Sequence, residues 1–413
     1  MNEKKIISKN LEKFFKTNGN KKVVILPYRN LSGMVSDILN EEYGIREQFL
    51  VDSYAYDMKH IYPLDQMPEG YKECTFMLAA FGNTKKVLRE KLSEYVPDDR
   101  VVDLLFDEEQ EEVFQSDSKV HIDFLCPGFA KCGTTSLHYA LAQNPKIFLP
   151  QVKETFFLNY SIDKTSHEAF KNHYKPEETD GKLVGAIEPG YKNEAEDVYR
   201  YFGSDLKLVF CVRNPIEALY SYFKMEMRDA LFMLEPSSSE IENNKWGGQV
   251  SPEMFDQWAM KHGFRGQYSY YIRTFLNYYP LEQVKILIAE ELYKNACDSM
   301  NELQDFLGIS ENDKLEYREF PRENIGSKVA KDQIGLQINK GIRQLRHKLI
   351  QKGDFQSLAL LDNIRDNVEK VTLVDYNAPM LDSTRQNLLD YYMDSIRELE
   401  GMIGRSLQGV WYS

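Results

Sequence analysis

The chain has 413 residues, more than one average domain, and 42% of them are hydrophobic, which is enough apolar material for a sizeable core. Its formal net charge of −13 argues against a nucleic-acid-binding protein, because neutralising phosphate groups requires a basic face. The five cysteines are scattered and form no CxxC or Cys/His cluster, so we expect neither a disulfide framework nor a metal site.

The N-terminal segment carries charges throughout and lacks the apolar core of a signal peptide, and no later segment is long and apolar enough for a membrane span. We therefore expect a soluble cytoplasmic protein that binds no nucleic acid. No pattern in the sequence indicates an oligomeric state.

The first 118 residues alternate between apolar runs and helical patterns. Residues 1–20 suggest a short polar helix or a loose leader. Strands are predicted at 23–26, 49–52, 75–80 and 101–105, with helices near 32–43 and 84–95. This spacing predicts a small, parallel, Rossmann-like sheet.

Nucleotide binding by this first domain is not favoured. Its first turn reads PYRNLSG, which retains only Gly33 of a glycine-rich fingerprint, and Asp52 at the second strand end is a common feature. Packing, acceptor recognition or partner binding is preferred over a cofactor site. The acidic stretch 107–118 suits a linker, so we place domains at 1–118 and 119–413.

The stretch 124–141, FLCPGFAKCGTTSLHYAL, reads as strand, tight loop and helix. Gly128 allows the backbone to fold closely around a ligand. The amides of the helix start would point into the loop and hold phosphate; these belong to Gly133, Thr134, Thr135 and Ser136.

The loop differs from a Walker A motif because Gly133 occupies the usual lysine position, while Lys131 lies inside the loop. PGFAKCGTTSL resembles the 5′-phosphosulfate loop of sulfotransferases that use 3′-phosphoadenosine 5′-phosphosulfate (PAPS), especially the bacterial and heparan-sulfate-type branch. The resemblance implies that Lys131 is catalytic and that Phe129, Ala130 and Cys132 join the helix start in binding PAPS.

KETFFLN resembles the segment that follows the first helix in this family, with Leu158 in place of the second aromatic residue. By that resemblance Glu154 is the general base for the acceptor hydroxyl, and Lys153 contacts the acceptor. The alternative is that Glu154 is a solvated loop charge paired with Lys153.

LVGAIEPGY resembles the family strand that ends in a Pro-x-Tyr turn, but Ile187 and Glu188 stand where several glycan sulfotransferases carry a lysine. Glu188 and Tyr191 are candidate acceptor contacts. Tyr268, in GFRGQYSYY, is another, although an aromatic helix face is more often part of the core.

RNPIEALYS resembles the 3′-phosphate segment of the family, with Arg213 and Ser221 as ligands of that phosphate. The alternative for Arg213 is a salt bridge. PRENIGSKVAK resembles a loop that closes over the nucleotide, which makes Ser327 and Lys328 further candidates.

Two later segments allow more than one interpretation. Residues 235–250 form either a lid over the acceptor or a surface loop. A helix predicted at 334–350 has a charged face that is either solvated or guides an anionic acceptor or partner; it carries Lys340, Arg343, Arg346 and Lys348.

The resemblance covers about residues 119–413 and implies a P-loop-like, three-layer α/β/α sulfotransferase domain with a central parallel sheet, preceded by the Rossmann-like domain. The implied function is transfer of a sulfuryl group from PAPS, without a metal, to a hydroxyl on a small-molecule or glycan acceptor, with a carbohydrate favoured. Alternatives are sulfation of a sterol, phenol or lipid, a P-loop small-molecule kinase, and a non-catalytic nucleotide-binding protein.

Overall fold

The computed structural model describes residues 3–19, 21–28, 30–52, 60–80, 82–106, 108–159, 162–229, 252–321, 328–376 and 379–412. The chain divides into two compact units. The first comprises Met1–Ser116 with Tyr160–Asp163, and the second comprises Asp117–Asn159 with Lys164–Ser413.

The N-terminal unit contains a five-stranded parallel sheet in the order β3-β2-β1-β4-β5. The strands are Val23–Leu26, Phe49–Val51, Ile61–Tyr62, Thr75–Leu78 and Val101–Asp103 (β1 to β5), and the helices are Glu3–Asn18, Asn30–Tyr43, Gly82–Leu92 and Glu108–Phe114 (α1 to α4). This strand order confirms the Rossmann-like α/β architecture. The two-residue strand β3 is too short to produce a sequence pattern and was not predicted.

Both faces of this sheet are covered. Successive strand residues point to opposite faces, so Val24 belongs to the same buried cluster as Leu88 of α3. Its neighbour Val23 belongs to a second buried cluster with Ile7 of α1 and Ile38 of α2. Helix α1 is therefore packed into the core. Of the two expectations for this segment, the short helix is confirmed and the loose leader is wrong.

The acidic stretch predicted as a linker contains the helix α4. Glu108, Glu109 and Glu111 lie in its first turn, where negative charge complements the helix dipole. Val113 and Phe114 at its end are buried. Because the stretch is highly charged, the sequence pattern did not indicate that these two apolar residues are buried.

The second unit is built on another five-stranded parallel sheet, in the order β10-β9-β6-β8-β7. Its strands are Phe124–Gly128, Ile147–Phe148, Leu183–Ile187, Lys207–Val212 and Val284–Ile288 (β6 to β10). The central strand β6 is fully buried, with Cys126 opposite Ile187 on one side and Gly128 opposite Phe210 on the other. This parallel α/β sheet confirms the predicted fold class.

Helices connect and cover these strands. They are Thr134–Leu141, Lys164–Lys171, Pro176–Thr179, Ala195–Phe202, Pro215–Asp229, Pro252–His262, Tyr268–Leu276, Ala289–Lys294 and Ala296–Leu307 (α5 to α13). Pro215 is the first residue of α9, where its missing amide hydrogen removes no helical bond.

The C-terminal part adds a helical hairpin and a long final helix. The hairpin consists of Gln333–Lys352 and Phe355–Thr372 (α14 and α15), and the final helix is Asp382–Ile403 (α16). Lys328–Ala330 and Leu373–Asp375 (β11 and β12) pair as a two-stranded antiparallel sheet at the base of the hairpin. The first hairpin helix was predicted from sequence, whereas its partner and the small sheet were not.

Membrane spans and metal clusters are both absent from the described ranges. No helix there combines the length and apolarity needed to cross a bilayer. No group of three or more His, Cys, Asp or Glu side chains in those ranges is arranged to hold a metal ion. All five cysteines are free, and four of them are buried.

Candidate active site at the carboxyl edge of the second sheet

Four parallel strands bring their carboxyl ends to one edge of the second sheet. The central strand β6 ends at Gly128, its neighbours β8 and β9 end at Ile187 and Val212, and β10 ends at Ile288. In open parallel sheets, ligands bind at this edge, where connections leave the central strand toward opposite sides. The loops after β6, β8 and β9 carry most of the site residues predicted from sequence.

The loop after β6 is tied to the neighbouring strand and has an unusual backbone. The amide of Phe129 donates to the carbonyl of Cys211 at 3.0 Å. Lys131 has a φ of 67°, a left-handed conformation that costs a residue with a side chain roughly 1–2 kcal/mol. Backbone strain of this kind concentrates at ligand-binding loops.

The helix that follows the loop supplies the predicted anion site. Gly133 is the N-cap residue of α5, and Thr134, Thr135 and Ser136 form its first turn. A Cβ on Gly133 would lie 3.4 Å from the Tyr293 hydroxyl, and the Ser136 hydroxyl is 3.2 Å from the same group. The four residues therefore share one helix N-terminus, whose amides and dipole favour an anion.

Three predicted ligand residues have buried side chains. Phe129 is 2% exposed, and its ring centroid lies 4.7 Å from that of Tyr268, itself 3% exposed. The Cys132 thiol is 3.4 Å from the Tyr268 hydroxyl. Burial raises the pKa of Cys132 to about 12, so the thiol is neutral at physiological pH. These contacts shape the loop, while the neighbouring Ala130 is partly exposed.

Lys131 is a partly buried cation with a lowered pKa. Burial, followed by the positive charges of Arg228 and Arg343, lowers the pKa of Lys131 to about 8, while Asp229 and Glu154 oppose that shift. An anion arriving beside this ammonium would restore its charged form. Lys131 thus lies within electrostatic reach of Glu154, the other candidate catalytic residue.

Glu154 is held in an ion pair with Lys153. Its backbone is left-handed, with a φ of 65°. Burial raises the pKa of Glu154, but the charge and hydrogen bond of Lys153, together with the charges of Arg343 and Arg346, outweigh burial and lower it overall. Glu154 is therefore ionised at neutral pH. The pair with Lys153 that the alternative expects is therefore present; Lys153 is 14% exposed and Glu154 33%.

Glu188 holds the segment that carries Glu154. One oxygen of its buried carboxylate accepts from the Thr155 amide at 2.7 Å and the Thr155 hydroxyl at 2.6 Å, and the other accepts from the Phe156 amide at 3.1 Å. Tyr191 is fully buried, and its hydroxyl accepts from the Leu158 amide at 3.1 Å. Both residues were predicted as acceptor contacts, whereas their observed contacts are to the chain itself.

Arg213 lies beside the loop that follows β6. It follows β9 directly, and its charge and its backbone both act to lower the pKa of the Cys132 thiol against the larger effect of burial. Burial, and then the charge of Arg213, lowers the pKa of Lys224. Lys224 is therefore a second cation within electrostatic reach of Arg213. Ser221 lies one turn before Lys224 on α9, so the two share a helix face. Lys131 and Arg213 therefore occupy the same edge of the sheet, as the prediction requires.

The C-terminal tail is anchored at the same strand ends. The Asn214 amide donates to one oxygen of Glu290 at 2.9 Å, and the Trp411 indole donates to the other at 3.0 Å. The Asn214 side chain also donates to the Trp411 carbonyl at 2.9 Å. This network fixes the start of α9 and thereby the position of Arg213.

Two predicted segments contribute little that can be described. Ser327 and residues 235–250 lie outside the described residues. Lys328 is the exposed first residue of β11 and is opposite Asp375 in the small sheet.

A partly buried lysine next to the predicted turn was not predicted from the sequence. Lys192 directly follows Tyr191, and its ammonium lies 4.4 Å from the centre of the Tyr271 ring. Burial, followed by the charge of Arg265, lowers the pKa of Lys192 to about 7. Several glycan sulfotransferases carry a lysine before the proline of this turn, whereas this chain has Lys192 directly after Tyr191.

Comparison with known proteins gives a family match over this unit. The model of the family described as sulfotransferase domain matches residues 121–322. That range begins just before β6 and includes Lys131, Glu154 and Arg213, and it ends before the C-terminal hairpin.

A curated relative is the protein named membrane-associated sulfotransferase kil1 from Dictyostelium discoideum. It is 23% identical to this chain, over 49% of this chain and 59% of the relative. The chain thus spans about three-fifths of that relative's length.

Solved structures that match this chain include two examples. The sulfotransferase from Alicyclobacillus acidocaldarius is 19% identical, with a TM-score of 0.44, covering 71% of this chain and 99% of that one. The sulfotransferase domain of the Synechococcus PCC 7002 olefin synthase is 14% identical, with a TM-score of 0.34, covering 67% of this chain and 97% of that one.

Proposed function

We propose that this chain, whose residues 121–322 form a sulfotransferase domain, moves the sulfuryl group of PAPS to a hydroxyl of an acceptor molecule. The observation that carries the proposal is that a partly buried lysine, an ionised carboxylate and an arginine occur at the carboxyl edge of one parallel sheet. These are Lys131, Glu154 and Arg213.

The donor is proposed to lie across the ends of β6 and β9. The N-terminus of α5 suits its 5′-phosphosulfate, because amides and a helix dipole favour an anion there. Arg213 and Ser221 are proposed to hold the 3′-phosphate, and Lys224 joins them because its position beside another cation is eased by a bound dianion.

Transfer is proposed to be an in-line displacement at sulfur. The acceptor oxygen forms a bond to sulfur while the bond from sulfur to the bridging oxygen of the 5′-phosphate breaks. The hydroxyl proton passes to Glu154, which its neighbours keep ionised and able to accept it. The negative charge that develops on the leaving phosphate is met by Lys131 and the loop amides.

The acceptor class proposed first is a carbohydrate, on the strength of the KETFFLN and loop resemblances. Aromatic rings near the site also suit a phenol, sterol or lipid, since Tyr222 is buried within electrostatic reach of Glu154. A panel containing all four acceptor classes is therefore needed.

Two measurements test the proposal. Calorimetric titration should show that 3′-phosphoadenosine 5′-phosphate (PAP) binds more tightly than ATP, because the proposed site holds a 3′-phosphate and lacks the Walker lysine and its magnesium ligand. Transfer of labelled sulfate from PAPS to the acceptor panel should then be abolished or strongly reduced in Glu154→Gln, while PAP affinity stays within about twofold.

Tighter binding of ATP than PAP would favour the kinase alternative. Tight PAP binding without transfer to any acceptor class would favour a non-catalytic nucleotide-binding protein. Equal transfer rates for Glu154→Gln and the unmodified chain would remove Glu154 from the role of base.

A reducing, cytoplasmic location remains part of the proposal, and the five free cysteines support it. The Dictyostelium relative is named as membrane-associated. Fractionation of cells that produce this chain would separate the two locations.

A further inference from the structure

The inward face of α14 combines charged and apolar side chains, and Leu336 is buried on it. Asn339 and Ile350 on this face are buried, and Arg343, Arg346 and His347 between them are partly buried at helical spacing. The opposite face exposes its apolar side chains; Ile334 is 72% exposed, Ile338 43% and Leu345 46%. The helix therefore holds two partly buried arginines between buried residues while several of its apolar side chains stay exposed.

The carboxylates that pair with these arginines are shared. Asp229, with a side chain 2% exposed, accepts two bonds from Arg228 at 2.8 and 2.7 Å and also pairs with Arg343 at 2.9 Å. One carboxylate thus serves two guanidinium groups.

The same is true one turn later on α14. Asp362 pairs with Arg346 at 3.1 Å and with Arg365 at 3.2 Å, and Arg365 has additional partners in Asp366 and Glu369. Arg343 and Arg346 therefore each share a carboxylate with another arginine. Burying a positive charge without a full partner is costly.

This cluster lies against the proposed reaction centre. The His347 ring centroid is 4.6 Å from that of Phe156, two residues after Glu154. The charge of Arg343 acts on both Lys131 and Glu154, whereas that of Arg346 acts on Glu154. The helix that carries these arginines therefore packs against the segment that carries Glu154, the carboxylate that is proposed to face the acceptor.

Resting on the proposed function, we propose that Arg343 and Arg346 form a subsite for a tetrahedral oxyanion of the acceptor, a phosphate or sulfate monoester close to its reactive hydroxyl. Guanidinium forks match such oxyanions with paired hydrogen bonds. An anion at this position would supply the counter-charge that Asp229 and Asp362 provide only in part. The subsite comes mainly from α14, beyond the residues that match the family model.

Inorganic phosphate is the probe for this subsite. The full chain is first saturated with PAP and then titrated with phosphate in a calorimeter. The unmodified chain should bind phosphate, and Arg346→Met should weaken that binding about tenfold or more, because it removes a charge-assisted pair. Arg346→Lys, which keeps the charge, should recover part of the affinity.

Three controls distinguish phosphate bound at this subsite from phosphate bound elsewhere on the chain. Arg397→Met removes an exposed arginine of α16 that takes no part in the Asp229 and Asp362 pairs, and it should leave phosphate affinity within about twofold. Lys131→Met should also leave it largely unchanged, since phosphate in the sulfuryl position of the donor site would depend on Lys131 instead. Thermal melting of each variant establishes that the fold is retained.

Equal phosphate affinity in Arg346→Met and the unmodified chain would overturn the subsite, as would binding that disappears in Lys131→Met. A parallel loss of PAP affinity in Arg346→Met would assign the arginine to the donor instead. Failure of PAP to bind the unmodified chain would overturn the proposed function itself, and with it this inference.

Discussion

At the scale of single residues, the ionisation of Lys131 predicts the alkaline limit of activity. Burial and the charges of Arg228 and Arg343 lower the pKa of Lys131 to about 8. In the proposed reaction the protonated form of Lys131 stabilises the leaving phosphate, so kcat/KM for PAPS should fall as the pH rises through about 8. Initial rates measured between about pH 6 and 10 test this decline in kcat/KM.

Lys131→Arg provides the control for this prediction. A guanidinium stays charged throughout the range, so the decline near pH 8 should disappear even if the overall rate is lower. A decline that persists in the variant would assign the limb to another group. Lys192 is the first candidate, because burial lowers its pKa to about 7.

Glu188 predicts a second single-residue effect, this time through position. In Glu188→Gln, an amide nitrogen takes the place of one carboxylate oxygen, so one of the Thr155 or Phe156 donors faces another donor. An unsatisfied buried donor costs about 1–3 kcal/mol, which corresponds to roughly a 10- to 100-fold loss in kcat if the loop carrying Glu154 is displaced. PAP affinity should change by less than about twofold. An unchanged kcat would contradict the role of Glu188 in positioning the base.

At the scale of elements, the start of α9 predicts selectivity for the 3′-phosphate. Lys224 lies one turn after Ser221 and within electrostatic reach of Arg213. If these residues hold the 3′-phosphate, Lys224→Met removes a charged hydrogen-bond donor, worth about 1.5–3 kcal/mol. The Kd for PAP should rise roughly 10-fold or more, while that for AMP, which lacks the 3′-phosphate, should stay nearly constant. An equal loss for both nucleotides would place Lys224 elsewhere in the site.

The elements that sequence could predict are those with local signals. The loop after β6 combines glycines, a lysine and a helix start within 13 residues, from 124 to 136, and the structure brings them to one helix N-terminus. Arg213 was predictable because it follows an apolar strand and precedes Pro215 at a helix start. In both cases chain order alone sets the geometry.

The elements that sequence could not predict depend on distant contacts. Nothing in the pattern of α14 shows that Arg343 points inward, because that orientation depends on Asp229 of α9, more than 100 residues earlier. Likewise, Glu188 looks like an acceptor contact until its oxygens are seen to bind Thr155 and Phe156. For both residues the partner within the protein is distant in sequence, so no local pattern reveals it.

At the scale of the whole molecule, the N-terminal unit predicts independent folding. Its sheet β3-β2-β1-β4-β5 is covered on both faces by its own helices, with one buried cluster around Val24 and another around Val23. A sheet covered on both sides by local helices needs no other partner to bury its apolar residues. Residues 1–116, produced alone, should therefore unfold in one cooperative transition, with an enthalpy of about 80 kcal/mol for a domain of this size.

Met77, a buried residue of β4, tests whether that transition reports the loss of the buried core. Met77 is fully buried in the cluster that contains Val23, and Met→Ala substitutions in cores cost about 2–5 kcal/mol. Met77→Ala should lower the Tm of the isolated unit by roughly 4–8 °C for each kcal/mol lost. A broad, non-cooperative melt of residues 1–116, insensitive to this substitution, would mean that the unit requires the rest of the chain to complete its core.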